Sequence, residues 1–320
     1  MSPILNYLLT ALSIGMTFLF GCTGDILTEK VGHLNLGIPG IMCMGGAGGC
    51  FALSLMYKSG MNPMLIVFLA LLATFLTGAL MGMLYCFLTV SLKANQNVTG
   101  LAMTTFGVGT MKFIMSQWSG MGKSIRYLYA REYFRFPFGD RKDSLVYCGF
   151  MLLLAIAIAL IVSFVLHRTK IGLHIRAVGE NPATADAAGI RVSLYKYAAT
   201  CIGSGIAAIG GIYYIMVCSG SPEAYKSIEP LGWLSIALVI FTLWKPHISI
   251  LGAIVFGLLY VAGSFVPTLL GWNLPMYATY LFQMLPYVVT IVVLIVTSIR
   301  KKRENQPPAS LGLPYFREER

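Results

Sequence analysis

Nine apolar runs constrain this chain more than any other feature: about 4–22, 34–56, 64–90, 98–116, 145–166, 198–218, 231–244, 248–266 and 276–298. A helix crosses the bilayer core with about 20 apolar residues, and eight of these runs reach that length. The run 231–244 is short and ends at Trp244-Lys245-Pro246, so 231–266 reads either as two spans or as a broken hairpin. Lipid offers backbone groups no hydrogen-bond partner, and the alternating pattern of a barrel strand is missing, so the runs are read as helices. Charged residues are 11% and hydrophobic ones 57% of the chain, against about 25% charged in an ordinary soluble domain. That excludes a soluble enzyme and a disordered chain alike. The expected fold is all-α, a polytopic transmembrane helical bundle of about 8–10 spans with broken helices and an internal duplication.

The duplication rests on Gly78-Ala79-Leu80-Met81-Gly82-Met83-Leu84-Tyr85, which resembles Gly252-Ala253-Ile254-Val255-Phe256-Gly257-Leu258-Leu259-Tyr260 with one inserted residue. Residues 1–299 form the expected membrane domain, and 300–320 a basic, loosely ordered tail. Leu19-Phe20-Gly21-Cys22 resembles a lipoprotein cleavage box, but Met1–Tyr7 lacks a basic region, so this stretch reads as the first span.

Lysine and arginine set the expected orientation. Residues 1–29 carry neither, whereas the loop 167–197 carries Arg168, Lys170, Arg176, Arg191 and Lys196, and the tail carries Arg300, Lys301, Lys302, Arg303, Arg317 and Arg320. Nine crossings with the N-terminus outside place loop and tail in the cytoplasm. The net charge of +11 is then membrane topology, with no folded region suited to nucleic acid. Residues 117–144 strain the rule, being basic yet external, and their interleaved aromatics predict an amphipathic segment at the interface.

No catalytic constellation is visible. Gly120-Met121-Gly122-Lys123-Ser124 lacks the first glycine of a phosphate-binding loop, because position 117 is Gln. The seven cysteines form no CxxC pair and the four histidines are scattered, so no metal site is expected. The acids read as lying in loops, at span edges or in the tail, which leaves no proton relay at membrane depth. A transporter of this composition would take its energy from another chain.

Two stretches carry candidate function. Pro39 and a crowd of glycines from Gly37 to Gly49 predict either close helix packing or a discontinuous helix lining a polar path. Asn35, Gln96, Asn97, Thr104 and Thr105 are the uncharged polar residues that would line such a path, with 97, 101, 104 and 105 sharing a helix face. The second stretch is Arg176-Ala-Val-Gly179-Glu180-Asn181-Pro182 through Asp186 to Gly189. Asn181-Pro182 is a helix-start signal, 183–188 can form about two turns, and Gly189 can end them. A short helix in a basic loop is either a dock for another protein or a mere connector.

Glu29-Lys30-Val31-Gly32-His33-Leu34-Asn35-Leu36-Gly37-Ile38-Pro39-Gly40 and the 176–190 stretch together resemble permease subunits of bacterial ABC importers. The likeness is to the nucleoside and simple-sugar branch of the ribose and branched-chain amino-acid permease superfamily. Lys93–Ala102 and Gly232–Ala237 fall where further motifs of that family fall, and the resemblance covers about 24–297. It implies an inner-membrane importer subunit that binds no cofactor, with ATP used by a partner ATPase. The implied partners are that ATPase, a second permease (a paralogue), a solute-binding lipoprotein or periplasmic protein, and membrane lipid. The 176–190 loop would be the ATPase-coupling element. Ribose-type sugars and branched-chain amino acids remain alternative solutes, and a secondary transporter the alternative mechanism. Two departures stand out: Pro39 replaces an acid, and Thr242–Pro246 lacks a glycine common before the proline.

Overall fold

A computed structural model describes residues 3–56, 60–118, 134, 149–219, 222–271, 280–282, 284–300 and 306–316. The helices are α1 Pro3–Lys30, α2 Ile38–Met56, α3 Pro63–Cys86, α4 Gln96–Trp118, α5 Gly149–Arg168, α6 Lys170–Glu180, α7 Pro182–Ala187, α8 Val192–Tyr213, α9 Ile228–Phe241, α10 Pro246–Leu270 and α11 Leu285–Arg300. α3 continues as a π-turn over Phe87–Ser91 and α8 over Tyr214–Ser219. Eight described helices are long and apolar enough to cross a membrane, and a shorter apolar helix covers Tyr280–Val296. The chain is a multi-pass α-helical membrane protein. The basic segment 117–144 and the 120–124 motif lie outside the described residues, apart from the edge of α4 and Phe134.

Lipid solvates leucine as well as protein does, so helices associate in a bilayer through close backbone approach and polar contacts. This sequence supplies the approach with glycine. α1 and α8 cross where Gly24 and Gly203 each lie against the other's carbonyl oxygen. α3 lays Gly78 and Gly82 on α8 at Ser204 and Ala208, and α10 lays Gly257 on α1 at Ala11 and Gly15. The two segments matched as a duplication thus lie on α3 and α10, packed on α8 and α1 through Gly78, Gly82 and Gly257. Cys22, in the sequence resembling a cleavage box, is buried in the middle of α1.

The glycine-rich run belongs to packing. α2 is one continuous helix over Ile38–Met56. Its Gly40 meets the backbone of α4 at Met103 and Thr104, Gly45 meets Ala208, Gly46 meets Gly211, and Gly48 meets Thr77. The backbone is broken before this helix, over residues 31–37, rather than within it.

Residues 231–266 are two helices. α9 is lengthened at its start by a 3-10 turn over Pro222–Ser227 and parts from α10 at a tight turn. Leu243 and Trp244 both adopt φ of 55° there, a left-handed geometry that costs a residue with a Cβ about 1–2 kcal/mol. The Trp244 indole N–H donates to the Glu29 carboxylate and holds the turn against α1. This accounts for a turn in which the resembling family often has glycine. Leu243→Gly is expected to raise the thermal midpoint of the purified chain, and Trp244→Phe to lower it by removing the donor to a buried carboxylate. A fluorescence melt in detergent measures both.

Candidate functional site

The connection between α1 and α2 is a junction to which much of one end of the bundle is tied. The Leu34 N–H donates to Gln96 Oε1 at 2.8 Å, and its carbonyl accepts from the Tyr85 hydroxyl at 2.7 Å. His33 Nδ1 lies 3.0 Å from the Thr200 hydroxyl oxygen. Burial and then the nearby Lys196 hold that imidazole well below its ordinary range. Asn35 Oδ1 accepts from the Gly37 N–H at 3.0 Å, and Thr104 donates to the Leu36 carbonyl at 2.8 Å. Buried backbone groups that lack regular structure need such partners.

Asp25 and Glu29 are also buried here, one turn apart on α1, at 0% and 3% exposure. Both lie in the last turns of α1, at the edge of the span as expected, yet they are buried rather than exposed there. The i, i+4 spacing within an otherwise apolar helix was the available signal, since it places both carboxylates on one face.

Gly32 adopts φ +90°, and a Cβ there would lie 2.7 Å from Ser310 Oγ. Two needs therefore favour glycine at this position: the left-handed backbone and the close approach. Ser310 donates to the Gly179 carbonyl through its N–H at 3.0 Å and its hydroxyl at 2.6 Å. Gln96 Nε2 donates to the Leu313 carbonyl at 3.3 Å, and the Tyr315 hydroxyl donates to Asp186 Oδ2 at 3.0 Å. The tail is thus not loose over 306–316. It straps α6 and α7 to the α1–α2 junction, and its basic residues at 301–303 hid those contacts behind a solvated composition.

The 176–190 stretch forms a helix, a corner and a second helix. Asn181 has extended backbone, accepts from the Thr184 N–H at 3.0 Å, and precedes Pro182 at the start of α7. An asparagine cap of this kind is worth about 1 kcal/mol. Gly189, at φ +84°, ends the turn that follows α7. Gly179 is buried, and a Cβ on it would run into the Lys30 carbonyl. Arg176 is half-buried, and its Nε has no partner among the described residues. Glu180, Asn181, Ala183, Thr184, Ala187, Ala188 and Gly189 are exposed. The result is a short, capped, exposed tip on a rigid base.

The five polar residues read as path candidates divide. Asn35, Gln96 and Thr104 are buried at 1%, 3% and 3% exposure in the junction, while Asn97 and Thr105 face outward on α4. Lys112 and Ser116 continue that outward line, and Gly109 has open space beyond it. Asn97, Thr105, Gly109, Lys112 and Ser116 fall within one third of the helix circumference at 100° per residue. Away from the junction, the line reaches a cavity of about 600 Å³ lined by Lys112, Phe113, Ser116, Tyr225 and Lys226. Lys112 and Ser116 lie inside the run read over 98–116, but which face of that helix is exposed is visible only in the packed structure.

Among the described residues no group of three or more His, Cys, Asp or Glu side chains is placed to hold a metal.

Comparison with known proteins matches this architecture to transport. The nucleoside ABC transporter permease protein NupC of Lactococcus lactis is 30% identical over 285 residues, covering 86% of this chain and 87% of that protein. The guanosine ABC transporter permease protein NupQ of Bacillus subtilis is 28% identical over 307 residues, covering 93% and 92%. TsgC13 of Haloferax volcanii, a permease assigned provisionally to glucose, is 31% identical over 244 residues, covering 74% and 70%. The family model described as branched-chain amino acid transport system, permease component, matches residues 5–294. The chain belongs to that family of ABC transporter permeases.

Proposed function

We propose that this chain is a transmembrane subunit of an ATP-driven importer for nucleosides or related simple sugars. Support for the solute comes from the relatives named for nucleoside, guanosine and glucose transport. As a permease it performs no covalent chemistry and binds no cofactor, and ATP is spent by a partner ATPase. The exposed α6–α7 tip carries this reading. Its cap and its buried base, Gly179 against Lys30 and Ser310, let a push on the tip move α1, α2 and the tail together.

The tip faces the cytoplasm in this reading, which puts the tail inside and Pro3 outside the inner membrane. Tyr7 donates to the Leu258 carbonyl at the end of the bundle remote from the junction, in keeping with that arrangement. The outward polar line on α4 forms one wall of the solute path. A lysine at membrane depth facing lipid costs about 2.5–3.5 kcal/mol, so Lys112 calls for a polar or protein-covered surface. A second permease supplies the other wall, and the exposed Phe113 offers an apolar ring face to a base or sugar. A solute-binding protein delivers the solute to the outer mouth.

The test is purification from mild-detergent membranes, then reconstitution of the co-purifying chains in liposomes with labelled guanosine, uridine and glucose. Uptake requiring both enclosed ATP and the ATPase is expected. Uptake that persists without the ATPase and collapses with an ion gradient would sink the proposal. Lys112→Leu, which occupies the same exposed position, is expected to cut uptake at least tenfold while the complex still assembles.

A further inference from the structure

We propose that a basic cavity at the junction end of the bundle, formed by the end of α3, the start of α8 and the tail, binds a phosphate-bearing anion. In the membrane its occupant is the headgroup of an anionic phospholipid. The cavity encloses about 550 Å³. Lys93, Arg191 and Lys196 line it with Ser193 and Tyr315, and Asp186 is the one carboxylate on its wall among the described residues. Asp186 accepts from the Tyr315 hydroxyl, and three cations against one acid leave the cavity positive.

Two further features aim at an anion. Lys196 is only 3% exposed, and its ammonium has no carboxylate partner among the described residues. A lysine buried in this way is costly unless an anion meets it. The N-terminus of α8 opens on the same space. Its first helical hydrogen bond runs from the Tyr195 N–H to the Arg191 carbonyl, and no side chain caps the turn. The N–H groups of Val192, Ser193 and Leu194, all on the cavity wall, therefore remain available to oxygen.

The surroundings favour a lipid over a soluble phosphate. Val90, Val192 and Leu194 add apolar surface to the wall, beside Thr89 and Tyr197. Leu92, Leu194 and Phe87 beside it are 60%, 55% and 49% exposed, an apolar surface on which acyl chains can lie. Basic pockets between spans at a membrane boundary suit lipid headgroups for this reason. The Lys93 ammonium sits 4.3 Å from the centre of the Phe316 ring, so the tail closes one side of the site. Neither the cavity nor its test depends on what the protein transports.

The experiment compares thermal midpoints of the detergent-purified chain with phosphatidylglycerol, phosphatidylcholine or inorganic phosphate, alongside native mass spectrometry of retained lipid. Phosphatidylglycerol is expected to raise the midpoint by at least ~3 °C over phosphatidylcholine, by preferential binding to the folded state, with one molecule retained per chain. Lys93→Gln with Arg191→Gln, both at exposed positions, is expected to lose that increment and the retained lipid while melting normally in phosphatidylcholine. Lys196→Met provides a second variant acting from the buried side. Equal protection by the two lipids, or an undiminished increment in the exposed double variant, overturns the proposal. Protection by inorganic phosphate as strong as that by phosphatidylglycerol upholds the anion site and overturns its assignment to lipid.

Discussion

Gly203→Leu is expected to abolish the folded chain. α1 and α8 touch backbone to backbone at this crossing. A Cβ on Gly203 would overlap the Gly24 carbonyl oxygen and lie 2.6 Å from the Thr28 hydroxyl oxygen. Backbone cannot move aside as the tip of a flexible side chain can, so the helices would have to part. Parting them forfeits the close contacts that hold helices together where no hydrophobic force acts between them. It would also disturb α3, whose Gly82 lies against Ser204 and the Thr200 carbonyl on the same length of α8. Size-exclusion chromatography after detergent extraction should show aggregate in place of a monodisperse peak. Gly109→Ala on α4 is the control: nothing lies within 4 Å of its added Cβ, and the peak should be unchanged. A monodisperse Gly203→Leu protein would show that the crossing is looser than described.

The second large effect concerns coupling. Ala183 and Ala187 are both exposed and four residues apart on α7, so they share a face. Ala183→Arg with Ala187→Arg adds two bulky charges to that face without touching a buried contact. Melting should be unchanged, whereas ATPase co-purification and ATP-driven uptake should fall at least tenfold. Asn181→Ala acts differently. It removes the acceptor of the Thr184 N–H and should fray α7 at a cost of about 1 kcal/mol, giving partial uptake. A double-arginine protein that imports at the normal rate would remove the tip from the ATPase interface. Loss of melting stability together with uptake would indicate that the surface is packed rather than free.

The apolar runs were enough to place the spans, because a helix in lipid satisfies its own backbone and needs only length and hydropathy. The start of α7 was equally legible: Asn181, Pro182 and Gly189 act through local geometry, which is written in adjacent residues. The α6 helix before it was not singled out. It buries Ile175 and Val178 but exposes Ile171 and Leu173, and the stretch is too short and too basic to read as a span.

The buried carboxylates, the tail and the two faces of α4 were decided by contacts between distant parts of the chain. Asp25 and Glu29 are edge residues of α1 as their sequence suggests, but their burial is set by the helices packed on that end. The tail reads as solvated by composition, yet Ser310 meets Gly179, which lies 131 positions away in sequence. Thr104 and Thr105 are adjacent and chemically identical, but one donates to the Leu36 carbonyl and the other faces outward. Sequence determined which segments are apolar enough to cross the membrane and where α7 begins, because those follow from local chemistry. Tertiary structure alone decided which polar groups are buried structural ties and which are exposed, because a side chain's partner is set by the helix packed against it.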